Sequence, residues 1–168
     1  MAASVIVVDY DPNWPVLFRA LQRRIADALG SVAARIEHVG STAVPNLAAK
    51  PILDIDVLLG SASDLPTAIE RLANVGYAHQ GDLGIAGREA FRAPAGDPAH
   101  NLYVCLTPTE EFHRHLLFRD YLRAHPDDAK AYGELKQALA LRFRDDRSAY
   151  VDGKSEVVTE IIVRTNNG

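Results

Sequence analysis

Two aspartates spaced by one residue, Asp54 and Asp56, lie in the apolar segment Pro51–Leu59. Side chains alternate across a β-strand, so if this segment is a strand both carboxylates face the same side of the sheet. Neighbouring carboxylates repel one another, which makes an ionised pair unfavourable unless a cation lies between them. Mg²⁺ suits such a pair, since it binds one or two carboxylates together with substrate phosphates. The spacing predicts that Asp54 and Asp56 are catalytic metal ligands; the alternative is a solvent-facing pair on an edge strand.

A glycine-serine turn, Gly40-Ser41, is separated by twelve residues from the first of the aspartates. Glycine allows backbone N–H groups to approach an anion closely, and the Ser41 hydroxyl adds a hydrogen-bond donor. The turn is therefore a candidate phosphate-binding element for the same site.

A glycine-serine turn followed by alternating hydrophobic residues and aspartates resembles the signature of the nucleotidyltransferase superfamily. The segments YDPNWPVLF, HVGSTAVPNLAAKP, FRDYLRAHP and YVDGKS are in addition similar to the GrpB family, small bacterial proteins with a nucleotidyltransferase-like fold. This resemblance runs from about Tyr10 to about Val163. It implies Mg²⁺-dependent transfer of a nucleoside monophosphate from a nucleoside triphosphate to a hydroxyl acceptor, with Gly40 and Ser41 on the β- and γ-phosphates.

The superfamily usually has a third acid on a neighbouring strand, and its place in this chain is not evident. Asn101 and Tyr103 occupy the strand where that acid would lie, and Glu89, on the strand before, is the nearby acid that could be a third metal ligand. GrpB relatives also often have a histidine where this chain has Tyr103. Without the third acid, the site would lose a general base, a role typically worth about 10²–10⁴-fold in rate.

Several basic residues are candidate phosphate ligands. His38 lies just before the glycine-serine turn, where it could contact a phosphate or be a half-buried structural residue. Arg119 and Arg123 are four residues apart on a predicted helix, so they share a face that could clamp a phosphate or pair with surface acids. The resemblance adds residues in family-like segments. The complete set is His38, Lys50, His100, Arg119, Arg123, Lys136 and Lys154.

Two further groups are predicted not to be a metal site or a nucleophile, respectively. His113 and His115 are two residues apart, which places them on diverging sides of a helix, unlike the four-residue spacing of a zinc helix. Cys105, the single cysteine, lies in the apolar run LYVCL and is expected to be a buried thiol.

The chain of 168 residues suits one domain, with a sheet core over residues 1–108 and a helical part over residues 109–168. The formal net charge of −4 argues against general nucleic-acid binding. No stretch approaches the roughly 20 apolar residues of a membrane span, and no secretory leader is evident. We therefore expect a cytoplasmic protein without a membrane partner.

Hydrophobic periodicity and turn residues predict an α/β (α+β) fold, with a mixed, mostly antiparallel sheet flanked by helices and a helical C-terminal part. The predicted strands are Val32–Val39, Pro51–Leu59 and three around Tyr77–His79, Glu89–Ala93 and Asn101–Leu106. The predicted helices run from Pro12 to Gly30, from Asp64 to Gly76, through Phe112–Leu122, from Pro126, and from about Ser155.

Three functions are compatible with these residues. The first is the nucleotidyltransferase reaction. The second is a non-catalytic module that binds a nucleotide or a CoA-like phosphorylated ligand, or that acts as an interaction partner; GrpB-like domains also occur fused to dephospho-CoA kinases. The third is metal-dependent phosphohydrolysis, which needs the same carboxylates and a water molecule.

Overall fold

A computed structural model describes residues 3–167 of the chain. Within these residues, five strands and five α-helices follow one another in the order α1 (Trp14–Leu29), β1 (Ala33–Val39), β2 (Leu53–Leu59), α2 (Leu65–Asn74), β3 (Ala78–Gly81), β4 (Arg88–Arg92), β5 (His100–Cys105), α3 (Glu110–Ala124), α4 (Pro126–Arg142) and α5 (Arg147–Asn166). Short 3₁₀ helices occupy Gly30–Val32, Ser41–Ala43 and Ala62–Asp64. No helix within the described part of the chain is both long and apolar enough to cross a membrane.

The strands form one mixed sheet in the order β1-β2-β5-β4-β3. Only the β2–β5 pair is parallel, and the other three pairs are antiparallel. The predicted mixed, mostly antiparallel sheet flanked by helices, with a helical C-terminal part, is therefore confirmed.

The two faces of β2 have opposite character because its sequence alternates. Leu53, Ile55 and Val57 are fully buried in the main core, which also contains the apolar faces of α1 and α2. Asp54 and Asp56 face the other side of the sheet, where Leu58 packs beside Cys105 and the Phe112 side chain of α3. The face that carries the aspartates is thus covered by the C-terminal helices.

The C-terminal helices hold together through a second core. Val44 and Leu47, from the loop after β1, pack against Leu122, Tyr132 and Ile161, one residue from each of α3, α4 and α5. This packing ties the loop that carries Gly40 and Ser41 to all three helices, and it leaves a cleft between them and the sheet.

One element boundary differs clearly from the prediction. The last helix begins at Arg147 instead of about Ser155, because the Asp146 side chain caps its first turn by accepting a hydrogen bond from the Ala149 N–H at 2.9 Å. Its first turns are anchored by Tyr150, which is buried. Cys105 is buried as predicted, and burial raises the pKa of its thiol to about 12.

Candidate functional site

The two aspartates lie side by side at the floor of the cleft. β1 and β5 flank β2, and their register places Asn101 opposite Asp54 and both Tyr103 and Glu37 opposite Asp56. Asp54 accepts a hydrogen bond from Asn101 Nδ2 at 2.9 Å through Oδ1. Burial, only partly offset by this bond and reinforced by the charge of Asp56, raises the pKa of Asp54 above its usual value.

Asp56 is almost completely buried, at 1% exposure. Its Oδ2 lies 2.6 Å from Nδ1 of His115 on α3, whereas its Oδ1 has no hydrogen-bond partner among the described residues. A buried carboxylate oxygen without a partner is costly, and a cation is one means of satisfying it. Although burial alone would favour a neutral His115, the hydrogen bond and charge of Asp56 raise the pKa of this histidine.

Gly40 is required for the close approach of the turn to the aspartates. Its φ of 73° with ψ of −174° is a conformation that is essentially restricted to glycine. A Cβ atom at this position would lie 2.5 Å from Asp54 Oδ2. The turn and the carboxylate therefore form one continuous surface.

Three lysines converge beside this surface. Lys136 Nζ on α4 donates to Ser41 Oγ at 2.8 Å, and Lys50 and Lys154 lie 5.8 Å and 5.0 Å from the ring of Tyr150. None of the three forms a salt bridge among residues 3–167. Burial, together with the charges of the other two lysines, lowers the pKa of Lys136 to about 7.

Two cavities meet at these residues and share Ser41, Asp54 and Lys154. The smaller, of about 200 Å³, is lined by the three lysines together with Asn101 and Tyr150. The larger, of about 490 Å³, has polar lining groups that include Asp54 and His115 and an apolar wall formed by Phe118, Tyr132, Val151, Val158 and Ile162. A small polyanion matches the first cavity, and a partly apolar group matches the second.

A family model described as GrpB protein matches residues 4–164. The chain belongs to the GrpB family. A UPF0157 protein of Halalkalibacterium halodurans is 39% identical over 98% of this chain and 84% of its own length. A crystal structure of the conserved protein GrpB from Enterococcus faecalis, 33% identical, superposes with a TM-score of 0.83 over 95% of this chain and 98% of the other.

Two more distant relationships extend beyond the GrpB family. A crystal structure of the Cid1 poly(U) polymerase with MgGTP bound has a TM-score of 0.56 at 17% identity, over 88% of this chain and 50% of that one. At this identity the match shows a shared nucleotidyltransferase-like fold alone. The dephospho-CoA kinase of Mycolicibacterium paratuberculosis is 28% identical over 89% of this chain, which spans only 43% of that enzyme.

The predicted site residues of this GrpB chain divide into two groups. The cleft brings together Gly40, Ser41, Lys50, Asp54, Lys136 and Lys154, with Asp56 beneath them. The remaining five predicted residues lie elsewhere and have other partners: His38, Glu89, His100, Arg119 and Arg123.

Glu89 is wrongly predicted as a third metal ligand. Its register partner is Val104, which belongs to the main core, so Glu89 faces the opposite side of the sheet from Asp54 and Asp56. It is hydrogen bonded to His79 at 2.6 Å instead. The described residues contain no group of three or more histidine, cysteine or acidic side chains that could hold a metal ion.

The two histidines among the candidates are structural. His38 stacks on Phe18 and is 2.8 Å from the Thr42 hydroxyl, and burial is the main cause that lowers its pKa to about 4. His100 lies between the Tyr77 hydroxyl, at 2.8 Å, and the Pro98 carbonyl, at 2.6 Å. Both side chains project to the α1 side of the sheet, because their register partners Ile55 and Leu53 are core residues.

The arginine pair does not form a phosphate clamp. Arg119 donates to Glu37 at 2.7 Å, to Asp120 at 2.8 Å and to the His38 carbonyl. Arg123 donates to the Ala43 carbonyl at 2.9 Å. These bonds fasten α3 to β1 and to the turn. Arg119 thus pairs with acids, as in the alternative to a phosphate clamp, whereas Arg123 bonds a main-chain carbonyl.

Sequence reasoning missed His115 and Tyr150. His115 was considered only as a partner of His113 on one helix, whereas its contact is with Asp56, on a distant strand. One signal was available: His115 precedes Arg119 by four residues, the same spacing that placed Arg123 on the face of α3 toward the sheet.

Proposed function

We propose that this GrpB protein is a Mg²⁺-dependent nucleotidyltransferase that transfers a nucleoside monophosphate from a nucleoside triphosphate to a hydroxyl acceptor in the cytoplasm. The observation that carries the proposal is that two groups of opposite charge line the same cavity. Three lysines that have no carboxylate partner within residues 3–167 border the same cavity as Asp54, and Ser41, which accepts from Lys136, lines it too. Few ligands other than a metal-bound polyphosphate satisfy both charges at once.

The lysine-lined cavity is suited to the phosphate chain. Lys136 is only 2% exposed, and a buried ammonium without a counterion is unfavourable. An anion that enters the cavity would supply the missing counter-charge and restore the pKa of Lys136 toward its ordinary value. The Gly40-Ser41 turn would contribute donors to the same phosphates.

The aspartates are suited to a divalent cation. Asp54 Oδ2 and the buried Asp56 Oδ1 have no hydrogen-bond donors among the described residues, so both are available as ligands. With two protein carboxylates, the cation would complete its coordination with phosphate oxygens and water, as Mg²⁺ commonly does. When bound, Mg²⁺ would neutralise charge that develops on the phosphates during transfer.

The larger cavity has room for the nucleoside and the acceptor. Its aromatic and aliphatic wall, which includes Phe118 and Tyr132, offers a surface for a base, and Ser155 and Thr159 add hydroxyl groups. The acceptor hydroxyl would give up its proton to water, its oxygen would form a bond to the α-phosphorus, the bond from the α-phosphorus to the α,β-bridging oxygen would break, and pyrophosphate would leave along the lysines.

The test is a measurement of pyrophosphate release from each of the four nucleoside triphosphates in the presence of Mg²⁺. A small-molecule extract of bacterial cells supplies candidate hydroxyl acceptors. The native chain is expected to release pyrophosphate, and the Asp54→Asn/Asp56→Asn double variant is expected to be inactive although folded. Equal release by both proteins would contradict the proposal. Nucleotide loss without a labelled acceptor product would indicate phosphohydrolysis instead.

A second candidate is a non-catalytic module that binds a nucleotide or a CoA-like ligand. The observation that favours it is the absence of an acid on β5, where Asn101 and Tyr103 face the aspartates. The sequence similarity to part of a dephospho-CoA kinase makes CoA the first ligand to compare. Mg²⁺-dependent nucleotide binding without turnover for any acceptor would support this candidate.

A further inference from the structure

Each of the two cleft aspartates has one carboxylate oxygen bonded to a protein donor and one that is not. Asp54 Oδ1 accepts from Asn101 Nδ2 at 2.9 Å, and Asp56 Oδ2 lies 2.6 Å from His115 Nδ1. A carboxylate that binds a cation is ionised and can only accept, so Nδ1 of His115 would be the donor in this contact when the cation is bound. Asp54 Oδ2 and Asp56 Oδ1 are the oxygens that remain.

We propose that the aspartate pair binds one divalent cation rather than two, and that Asn101 and His115 are positioning residues that determine this number. This inference rests on the proposed function, because it concerns the same metal and nucleotide. Two-metal sites hold two ions on shared carboxylates and additional ligands. Here one oxygen of each aspartate already has a protein N–H group beside it, and the positive hydrogen of that group opposes a second cation.

Asn101 prevents a second ion at Asp54 for two reasons. Its amide nitrogen directs hydrogen atoms at Oδ1, where a second cation would have to bind. It also occupies the position on β5 opposite Asp54, where a carboxylate would add the ligand that a second ion needs. The described residues accordingly contain no cluster of three acidic or histidine ligands.

His115 has the corresponding effect at Asp56, and its position is fixed by a network. Its Nε2 lies 3.7 Å from Glu111 Oε1, and that carboxylate accepts from Arg88 at 3.0 Å. Arg88 also lies over the ring of Tyr103, at 4.1 Å, on the strand beside Asp56. The network orients the Asp56 carboxylate so that only Oδ1 is left without a donor.

The experiment is equilibrium dialysis of the full chain with Mn²⁺ and α,β-methylene-ATP, followed by measurement of both bound manganese and bound nucleotide. The expected ratio of bound Mn²⁺ to bound analogue is one. A ratio of two would overturn the inference while leaving the proposed function intact. If the native chain bound no analogue at all, the proposed function itself would fail.

Substitutions at Asn101 test why only one cation binds. Asn101→Asp removes the blocking donor and supplies a third acid, so the ratio is expected to rise to two, whereas Asn101→Leu removes the donor without a new ligand and should stay at one. A ratio of one in folded Asn101→Asp would contradict the role of Asn101.

The role of His115 has its own test, which does not depend on Asn101→Asp folding. His115→Asn can still donate one hydrogen bond and is expected to retain the Mn²⁺ affinity of the native chain, whereas His115→Ala should weaken it about tenfold. His113→Ala, at an exposed position on the same helix, is the matched control and should not change the affinity. Equal affinities for His115→Ala and the native chain would overturn the positioning role.

Discussion

His100 and Lys136 are both buried polar residues close to the sheet, but only His100 is fully paired. His100 lies between Tyr77 and the Pro98 carbonyl, and Arg24 and Asp97 form an ion pair beside it. Lys136, on the other side of the sheet, has one neutral hydrogen-bond partner and two like charges nearby. The cluster around His100 stabilises the fold. The cluster around Lys136 is stabilised only when an anion enters the cleft.

Whether a buried polar group has partners distinguishes structural from functional groups better than its residue type does. Both clusters contain residues that sequence reasoning marked as phosphate ligands. Burial with partners lowers the free energy of the folded chain, and burial without partners raises it. A buried charge without a partner is therefore the more informative feature, and the following changes test the distinction.

Gly40→Ala should have the largest effect. The added Cβ would lie 2.5 Å from Asp54 Oδ2 in a backbone conformation that disfavours side chains, at a cost of about 1–3 kcal/mol of strain. We expect nucleotide affinity to fall at least ~100-fold, as measured by calorimetry. Gly96→Ala also changes a glycine of positive φ but meets no atom within 4 Å, so it should keep native affinity. Loss of affinity in both variants would point to general destabilisation.

Lys136→Met tests the unpaired cluster directly. Removal of a charge-assisted contact to phosphate should weaken nucleotide binding by about 1.5–3 kcal/mol, roughly 10–150-fold. Because the charge is unfavourable in the empty cleft, urea unfolding should show no loss of stability at neutral pH. The exposed Lys130→Met is the control and should change neither quantity. A variant that unfolds more easily yet binds normally would assign Lys136 a structural role.

His100→Leu should give the opposite result. It leaves the Tyr77 hydroxyl and the Pro98 carbonyl without their partner, which should lower the free energy of unfolding by about 1–3 kcal/mol. Nucleotide affinity should be unchanged, since His100 faces away from the cleft. Weakened nucleotide binding by a stable His100→Leu protein would show that His100 is not a purely structural residue.

The pH dependence of stability provides a smaller, graded test. Lys136 has a pKa of about 7 in the folded chain and about 10.4 when unfolded. Between these values the unfolded chain binds more protons, so this lysine makes the folded chain more stable as pH rises. In thermal melts, the stability advantage of Lys136→Met over the native chain should therefore be constant below about pH 7 and shrink as the pH rises above this value. An advantage that does not depend on pH would contradict the depressed pKa.

Local patterns predicted the aspartate strand and most of the helices. The alternation around Asp54 and Asp56 determined which face they share, and a glycine before Ser41 indicated the close turn. The final helix was placed too late because its apolar stripe is clearest from Val157 onward, while the cap at Asp146 and the anchor at Tyr150 lie before it.

The partners of buried side chains could not be predicted in the same way. Glu89 was expected near the aspartates, but one step of strand register places it on the opposite face. The contact between His115 and Asp56 joins residues 59 positions apart, and no local spacing encodes it. The basic residues could be identified from the sequence, but which of them lack a counterion depends on the fold.

Whether Asp54 and Asp56 bind Mg²⁺ together with a nucleotide is tested most directly by calorimetry. The native chain and the Asp54→Asn/Asp56→Asn variant are each titrated with ATP, GTP, CTP, UTP and CoA, with and without Mg²⁺. We expect the native chain to bind at least one nucleoside triphosphate more tightly with Mg²⁺ than without it, and we expect the variant to lose this Mg²⁺ dependence. Affinity that is the same in both proteins, or no binding of any of the five ligands, would contradict this expectation.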